Sequence, residues 1–375
     1  MPYKISGSTS EETKLIIIEE TGWTITASGI ENGSYEIDLG SEDGPILIVG
    51  RRTSDGYSLG YGNITPAYEG PAVGQTGIFG GGGGYGNNIE YITISTTGDA
   101  EDFGDLTLAR TAVAGVSNST SGRAVFAGGS VSPGGIGNQT NVIDYVTMLT
   151  PANANNYGDL AVERANIFCM DNATGNRGLW VGGTHPPIYS NVREYITISS
   201  TGNATDWGDL PTPKGASAGG TSNATGNRGI MFGGSIGDPN YINSISYVTI
   251  NTGGNTADFG DLSEGKGFVA SVSNGTSNRA VCAGGYDNPH DGEPSTHTHN
   301  TMEYITITST GNASDFGDLW ATRSNLGAVD NKTNNRGVVG DGSDLYYITI
   351  TSLGNTTSFG STAAGVGGTG GTSNA

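Results

Sequence analysis

Apolar, largely β-branched residues recur along this chain in short alternating runs that break off at Thr, Gly and Asn. The clearest runs are Glu90-Tyr91-Ile92-Thr93-Ile94, Asp144-Tyr145-Val146-Thr147-Met148 and Glu194-Tyr195-Ile196-Thr197-Ile198. Variants end at Ile250, Ile307 and Ile350. Alternation with turn residues behind it predicts a strand entering a turn. Nine residues past the end of each run stands an aromatic: Phe103, Tyr157, Trp207, Phe259, Phe316 and Phe359. Gly-Asp-Leu follows five of the six. The aromatics are 54, 50, 52, 57 and 43 residues apart, and a period near 50 predicts the blades of a propeller rather than a short solenoid repeat.

Two further elements complete the unit. A small-apolar run closed by paired glycines precedes five of the six Tyr-bearing strands, as in residues 123–129 (RAVFAGG) and 177–183 (RGLWVGG). A fourth strand follows each Gly-Asp-Leu and ends in a polar turn such as 222–228 (SNATGNR). Four short strands per unit make one blade, and six units make a ring. The interval from the Leu of Gly-Asp-Leu to the Asn of the next polar turn is 12 or 13 residues, and Thr362 to Asn374 repeats it at 12. Residues 362–374 therefore supply an innermost strand without a blade of its own, and the first blade, opening near Gly77, lacks one. The expectation is a six-bladed propeller over 76–375 closed by that strand. The polar turns, Asn223 among them, read as a uniform outer scaffold tolerant of replacement.

Residues 1–65 have a different texture. Runs at 14–20, 23–30, 34–40 and 46–52 predict strands separated by Gly/Ser/Asn/Asp turns. A Pro/Gly-rich stretch over 66–75 reads as a linker. The fold class is all-β, a small β-sandwich followed by the propeller.

Composition narrows the function classes. Glycine, 65 of 375 residues, falls at repeat positions and so belongs to ordered turns. Net charge is −20, and ten of the 16 basic residues form two columns: Arg110, Arg164, Lys214, Lys266, Arg323 and Arg123, Arg177, Arg228, Arg279, Arg336. Both columns are expected to form internal ion pairs with the Gly-Asp-Leu aspartates or the acid that opens the Tyr-bearing strand. No basic patch remains for nucleic acid. Cys169 and Cys282 lie on different blades, which predicts no disulfide. No leader-like segment and no apolar run of about 18 residues suggests export or membrane insertion.

Asp-Phe-Gly, the magnesium-binding tripeptide of protein kinases, occurs in several copies here, as no catalytic residue would, so the kinase reading fails. The glycines at 80–84 have no helix after them to receive a phosphate. His297 and His299 have the spacing to share a metal from an extended strand, but an exposed polar loop explains them with less, and neither metal nor cofactor is expected. The prominent arginines are spread around the ring, unlike those that converge in sialidase propellers, and no nucleophile, base and oxyanion donors come together. The expectation is a protein that is not an enzyme.

The paired glycines, Tyr-bearing strand, following aromatic and basic residue resemble the kelch family over about residues 76–375. The aromatic is mostly Phe where that family has Trp, and the Gly-Asp-Leu signature is its own. Tandem repeats of this wording are similar to those of virion proteins of tailed phages, and residues 1–65 resemble the small transthyretin-like sandwich that introduces some phage tail proteins. The resemblance implies a virion structural protein, a tail fibre or appendage made in the host cytoplasm. Its residues 1–65 would dock on other virion proteins, it would be a homo-oligomer in the particle, and its propeller would meet a host glycan or protein. Alternatives are a capsid-surface decoration protein without a receptor and a non-viral extracellular adhesin. The recognition face is expected where loops vary. From the paired glycines to the Tyr-bearing strand the interval runs nine, fifteen, eleven, twelve and eighteen residues. That face collects the candidate ligand-binding residues Tyr85, Pro186, Tyr189, Tyr241, Tyr286, His297, His299 and Trp320.

Overall fold

Six four-stranded antiparallel sheets form a closed ring, a six-bladed β-propeller. The computed structural model describes residues 71–375 apart from 120–121, 133–136, 186–187, 216–218, 238–239 and 288–296, and, of residues 1–70, the backbone of four strands. Those strands, Pro2–Thr9, Thr13–Ile18, Gly33–Ser41 and Leu47–Arg52, make two antiparallel pairs, the first with the third and the second with the fourth. The expected assembly of 1–65 into a sandwich lies outside the described residues. The chain divides into two compact units, Met1–Gly70 and Pro71–Ala375.

Each blade follows the order read from the repeat. In the third, Phe168–Asp171 is innermost, followed outward by Arg177–Val181, Val192–Thr197 and Thr205–Asp209. The innermost strands neighbour one another around the axis without a break. In the first blade that place is taken by Gly370–Ser373, antiparallel to Thr76–Gly80 with Gly371 opposite Phe79. Asn374 extends the junction: its Oδ1 accepts from the Thr76 N–H at 2.9 Å and its Nδ2 donates to the Ala72 carbonyl at 2.9 Å.

The apolar residues of the strands bury themselves between blades. Six clusters fill the six junctions. One sets Val125, Ile143 and Leu160 of blade two against Ile167, Trp180 and Ile196 of blade three; another sets Phe79 and Ile92 of blade one against Val338, Leu345 and Phe359 of blade six. The conserved-looking wording of the repeat is junction chemistry as well. The Asn of the Thr-Gly-Asn turn reaches back to the previous blade, so Asn203 Oδ1 accepts from the Asp159 N–H and Asn312 Oδ1 from the Asp261 N–H, both at 3.1 Å. The Gly before that Asp gives the turn room: a Cβ on Gly317, at φ 142°, would lie 2.5 Å from the Gly354 carbonyl oxygen of the next blade. These turns cover the outer edges that would otherwise pair with other chains.

The leading Asn of these polar turns is buried or half-buried and ties one blade to the next, which corrects the turns' reading as replaceable scaffold. Asn223 is 3% exposed; its Oδ1 accepts from the Arg228 N–H at 2.8 Å and its Nδ2 donates to Asn278 of the next blade at 3.0 Å. Asn118, Asn172 and Asn274 repeat this with Asn176, Asn227 and Asn335, and Asn331 with Gln75. The second Asn of each pair is the left-handed residue that ends a 3-10 turn, φ 64° at Asn176, a conformation Asn tolerates.

Two outcomes test this architecture. Truncation after Ser361 removes the closing strand, and the product is expected to melt at lower temperature and lose monodispersity by light scattering. Asn223→Ala leaves a buried N–H and a partner amide unsatisfied, and denaturant melts should show a loss of about 1–3 kcal/mol.

Candidate functional site

Connectors from the outermost strand of one blade to the innermost of the next run along the face that carries the loops after the paired glycines. The two are tied together: the second glycine's N–H donates to the carbonyl of the connector's basic residue, Gly129 to Arg164 and Gly183 to Lys214. The first glycine makes the approach possible, since a Cβ on Gly182, at φ 62°, would lie 2.5 Å from the Lys214 carbonyl oxygen. Variable loops and connectors thus share one face.

Beneath it the basic side chain turns inward to meet the acid that opens the next blade's Tyr-bearing strand. Arg110 pairs with Asp144 at 2.9 Å, both fully buried, and also donates to the carbonyls of Val142 and Phe126. Arg164 pairs with Glu194, and Lys266 with Glu303 at 2.8 Å. The acid is anchored a second time by the backbone N–H just after Gly-Asp-Leu, from Thr107 to Asp144, Ala161 to Glu194 and Ser263 to Glu303. Burial pulls the Arg110 and Arg164 guanidinium pKa values down, and the neighbouring carboxylates oppose that shift. The second column behaves otherwise than expected. Arg123, Arg177, Arg228, Arg279 and Arg336 lie over Tyr145, Tyr195, Tyr247, Tyr304 and Tyr347 at 4.2–4.5 Å, and donate to the last carbonyl of the next blade's Tyr-bearing strand. A flat, weakly hydrated guanidinium suits a ring face and carbonyl oxygens without a carboxylate.

Three junctions break the inner pattern, each differently. Between blades six and one the basic place is Val366, and Glu90 accepts, among the described residues, the N–H groups of Ala363 and Ala364. Between five and six the acid's place is Tyr346, on which Trp320 stacks at 3.8 Å; Arg323 swings outward to Asp341. Between three and four the acid's place is Ser246, and the residue after Leu210 is Pro211, which has no N–H to anchor an acid. Lys214 remains, nine-tenths buried, with Ser244 Oγ at 3.4 Å as its hydrogen-bond partner among the described residues. A cleft of about 310 Å3 opens there. Burial pushes the Lys214 ammonium down to about 8, against the attraction of Asp258. This site was visible in the sequence as Ser246 in an acidic column.

The aromatic candidates are drawn into an arc across blades three to six. Tyr189 packs on Gly215, which bridges to Ser235, and Ser235 bridges to Tyr241. Tyr241 meets Tyr286 edge-on at 5.5 Å, and Tyr286 meets Phe268, which the sequence reading omitted, at 6.1 Å. His297 and His299 each place a ring nitrogen 3.6 Å from Asp287 Oδ1, and His299 Nδ1 is 2.9 Å from Glu264. The His299 carbonyl accepts the Arg323 N–H, and the Arg323 guanidinium lies over Trp320 at 5.7 Å. Tyr85, in blade one with φ 70°, makes no ring contact with this arc among the described residues. Pro186 lies outside the described residues.

Near the axis a small cavity is lined by Cys169, Asp171, Asp330 and Lys332, with Lys332 paired to Asp330 at 3.0 Å. Cys282 is a free, fully buried thiol pushed up to about 12 by burial, which makes it inert. Among the described residues no group of three or more His, Cys, Asp and Glu side chains has the geometry to hold a metal. No protein-family model matches the chain, and no curated protein matches it.

Lys214 gives a pH signature. Its folded pKa, about 8, lies below the ordinary lysine value, so folded protein holds fewer protons than unfolded between about pH 8 and 10.5, and stability contributed by this group rises across that window. Lys214→Met removes a buried charge that lacks a carboxylate partner. The variant is expected to be more stable at pH 7, by on the order of 1–3 kcal/mol, with the difference fading above about pH 10 in denaturant melts.

Proposed function

We propose that this protein is a virion structural protein of a tailed phage, a tail fibre or appendage, which presents the connector face of its propeller to a glycan or protein on the host surface. The virion assignment rests on the wording of the repeat and of residues 1–65, which would dock on other virion proteins. The observation that carries the binding role is the arc from Tyr189 to Trp320. A frame built on one repeated junction, with its inner ion pair present at three of six, bears one face where loops differ in length and composition, and on that face aromatic side chains stand on four blades. Half-buried aromatic rings held by their neighbours suit contact with the apolar faces of sugars. Ordered side chains also lose little freedom when a ligand arrives.

Tyr189→Ala combined with Tyr241→Ala is the direct test. Adsorption to host cells, or binding on a glycan array, is expected to fall at least about tenfold, the loss of a few hot-spot aromatics. Thr225→Ala, exposed on the opposite face, should leave binding unchanged. Unaltered attachment in the double variant would favour a decoration protein with no specific receptor.

A further inference from the structure

The break at the junction of blades three and four has the features of a ligand site. Three sister junctions show what this place in the fold holds: a carboxylate between a buried cation and a backbone N–H. Here the cation persists as Lys214, the carboxylate is shortened to the hydroxyl of Ser246, and Pro211 has removed the competing N–H donor. The space the missing side chain would fill is open to solvent as the cleft of about 310 Å3, at the small end of the roughly 300–1,000 Å3 typical of small-molecule sites. A buried ammonium without a carboxylate is costly, and an entering anion would relieve that cost.

The lining selects among anions. Lys214 is the cleft's one cation among the described lining residues, and Asp258, opposite Ser246 in the strand register, stands at the rim. One positive and one negative charge favour a monoanion over a dianion such as a phosphate monoester. Pro211, Ile236 and Ile242 give an apolar wall; Thr212, Ser244 and Thr256 give hydroxyl groups. Such a mixed wall fits a sugar ring, with one apolar face and a rim of hydroxyls. We propose that this cleft binds a hexuronic acid, its carboxylate seated on Lys214 where the sister junctions hold their own glutamate or aspartate. The site adjoins the aromatic arc, since Lys214, Ile236 and Ile242 follow or precede its Gly215, Ser235 and Tyr241 in the chain, but it has its own ligand and its own variants and does not rest on the arc meeting a host receptor.

The experiment uses the purified full chain and glucuronate, followed by NMR titration. Glucose serves as the uncharged comparator and glucose 6-phosphate as the dianionic one. Saturable binding of glucuronate is expected, at least about tenfold weaker for both comparators, the worth of a charge-assisted hydrogen bond. Ser246→Glu returns the internal carboxylate to Lys214, and Lys214→Met removes the cation; each should weaken glucuronate binding at least about tenfold while the spectrum stays that of the folded ring. The proposal is overturned if glucuronate does not saturate, if glucose or the phosphate binds as well, or if binding survives in either variant.

Discussion

A four-stranded blade of this protein has two apolar faces and nothing within itself to cover either, so each face must be packed against a neighbour. Six apolar clusters lie at the six junctions for that reason, and the polar features of the repeat do as well: the Asn ring below, the Thr-Gly-Asn turns over the outer edges, and the glycine-to-connector bonds above. An arrangement of this kind has no stable end, because an unclosed ring leaves two blade faces in water. Pairing of Gly370–Ser373 with Thr76–Gly80 answers that need, and the Asn374 amide ties the closing strand to Thr76 and Ala72 at the same place.

Buried charge adds selectivity to this packing. A pair such as Arg110 and Asp144 contributes modest net stability, since desolvation offsets much of the attraction, but a mismatched junction would bury one charge alone. The pairs therefore favour the correct stacking of blades that otherwise resemble one another. The same argument makes the departures informative. Val366 and Tyr346 each arrive with a compensating arrangement, backbone N–H groups on Glu90 and an indole stacked on the Tyr346 ring. Lys214 has a hydroxyl and a cleft instead.

Function on such a frame follows from where variation is tolerated. The lower turns interlock neighbouring blades through Arg, Tyr and Asn, so their lengths cannot drift. On the connector face only the glycine pair and one carbonyl must meet, and beyond that point the loop is free. The aromatic arc stands on this face, and the Lys214 cleft just beneath it at the junction of blades three and four.

The sequence by itself determined the number of blades, their four strands and which loops vary, because period, alternation and glycine placement are local properties repeated six times. It also carried the acidic column in which Ser246 stands out, a signal that the reading of the repeat passed over. It did not separate the two basic columns, which look alike in spacing: Arg110 faces a carboxylate and Arg123 a tyrosine ring only because the strand register aims one inward and the other along the lower rim. Nor did it reveal that Asn223 is buried, since a polar turn reads the same whether water or the next blade satisfies it. The candidate aromatics were legible as residues and not as an arc, and Phe268 was missed, for the contacts join side chains 18 (Phe268 and Tyr286) to 45 (Tyr241 and Tyr286) residues apart with no periodicity to announce them. Closure of the ring in space decided those partners, and no stretch of sequence contains both sides of a junction.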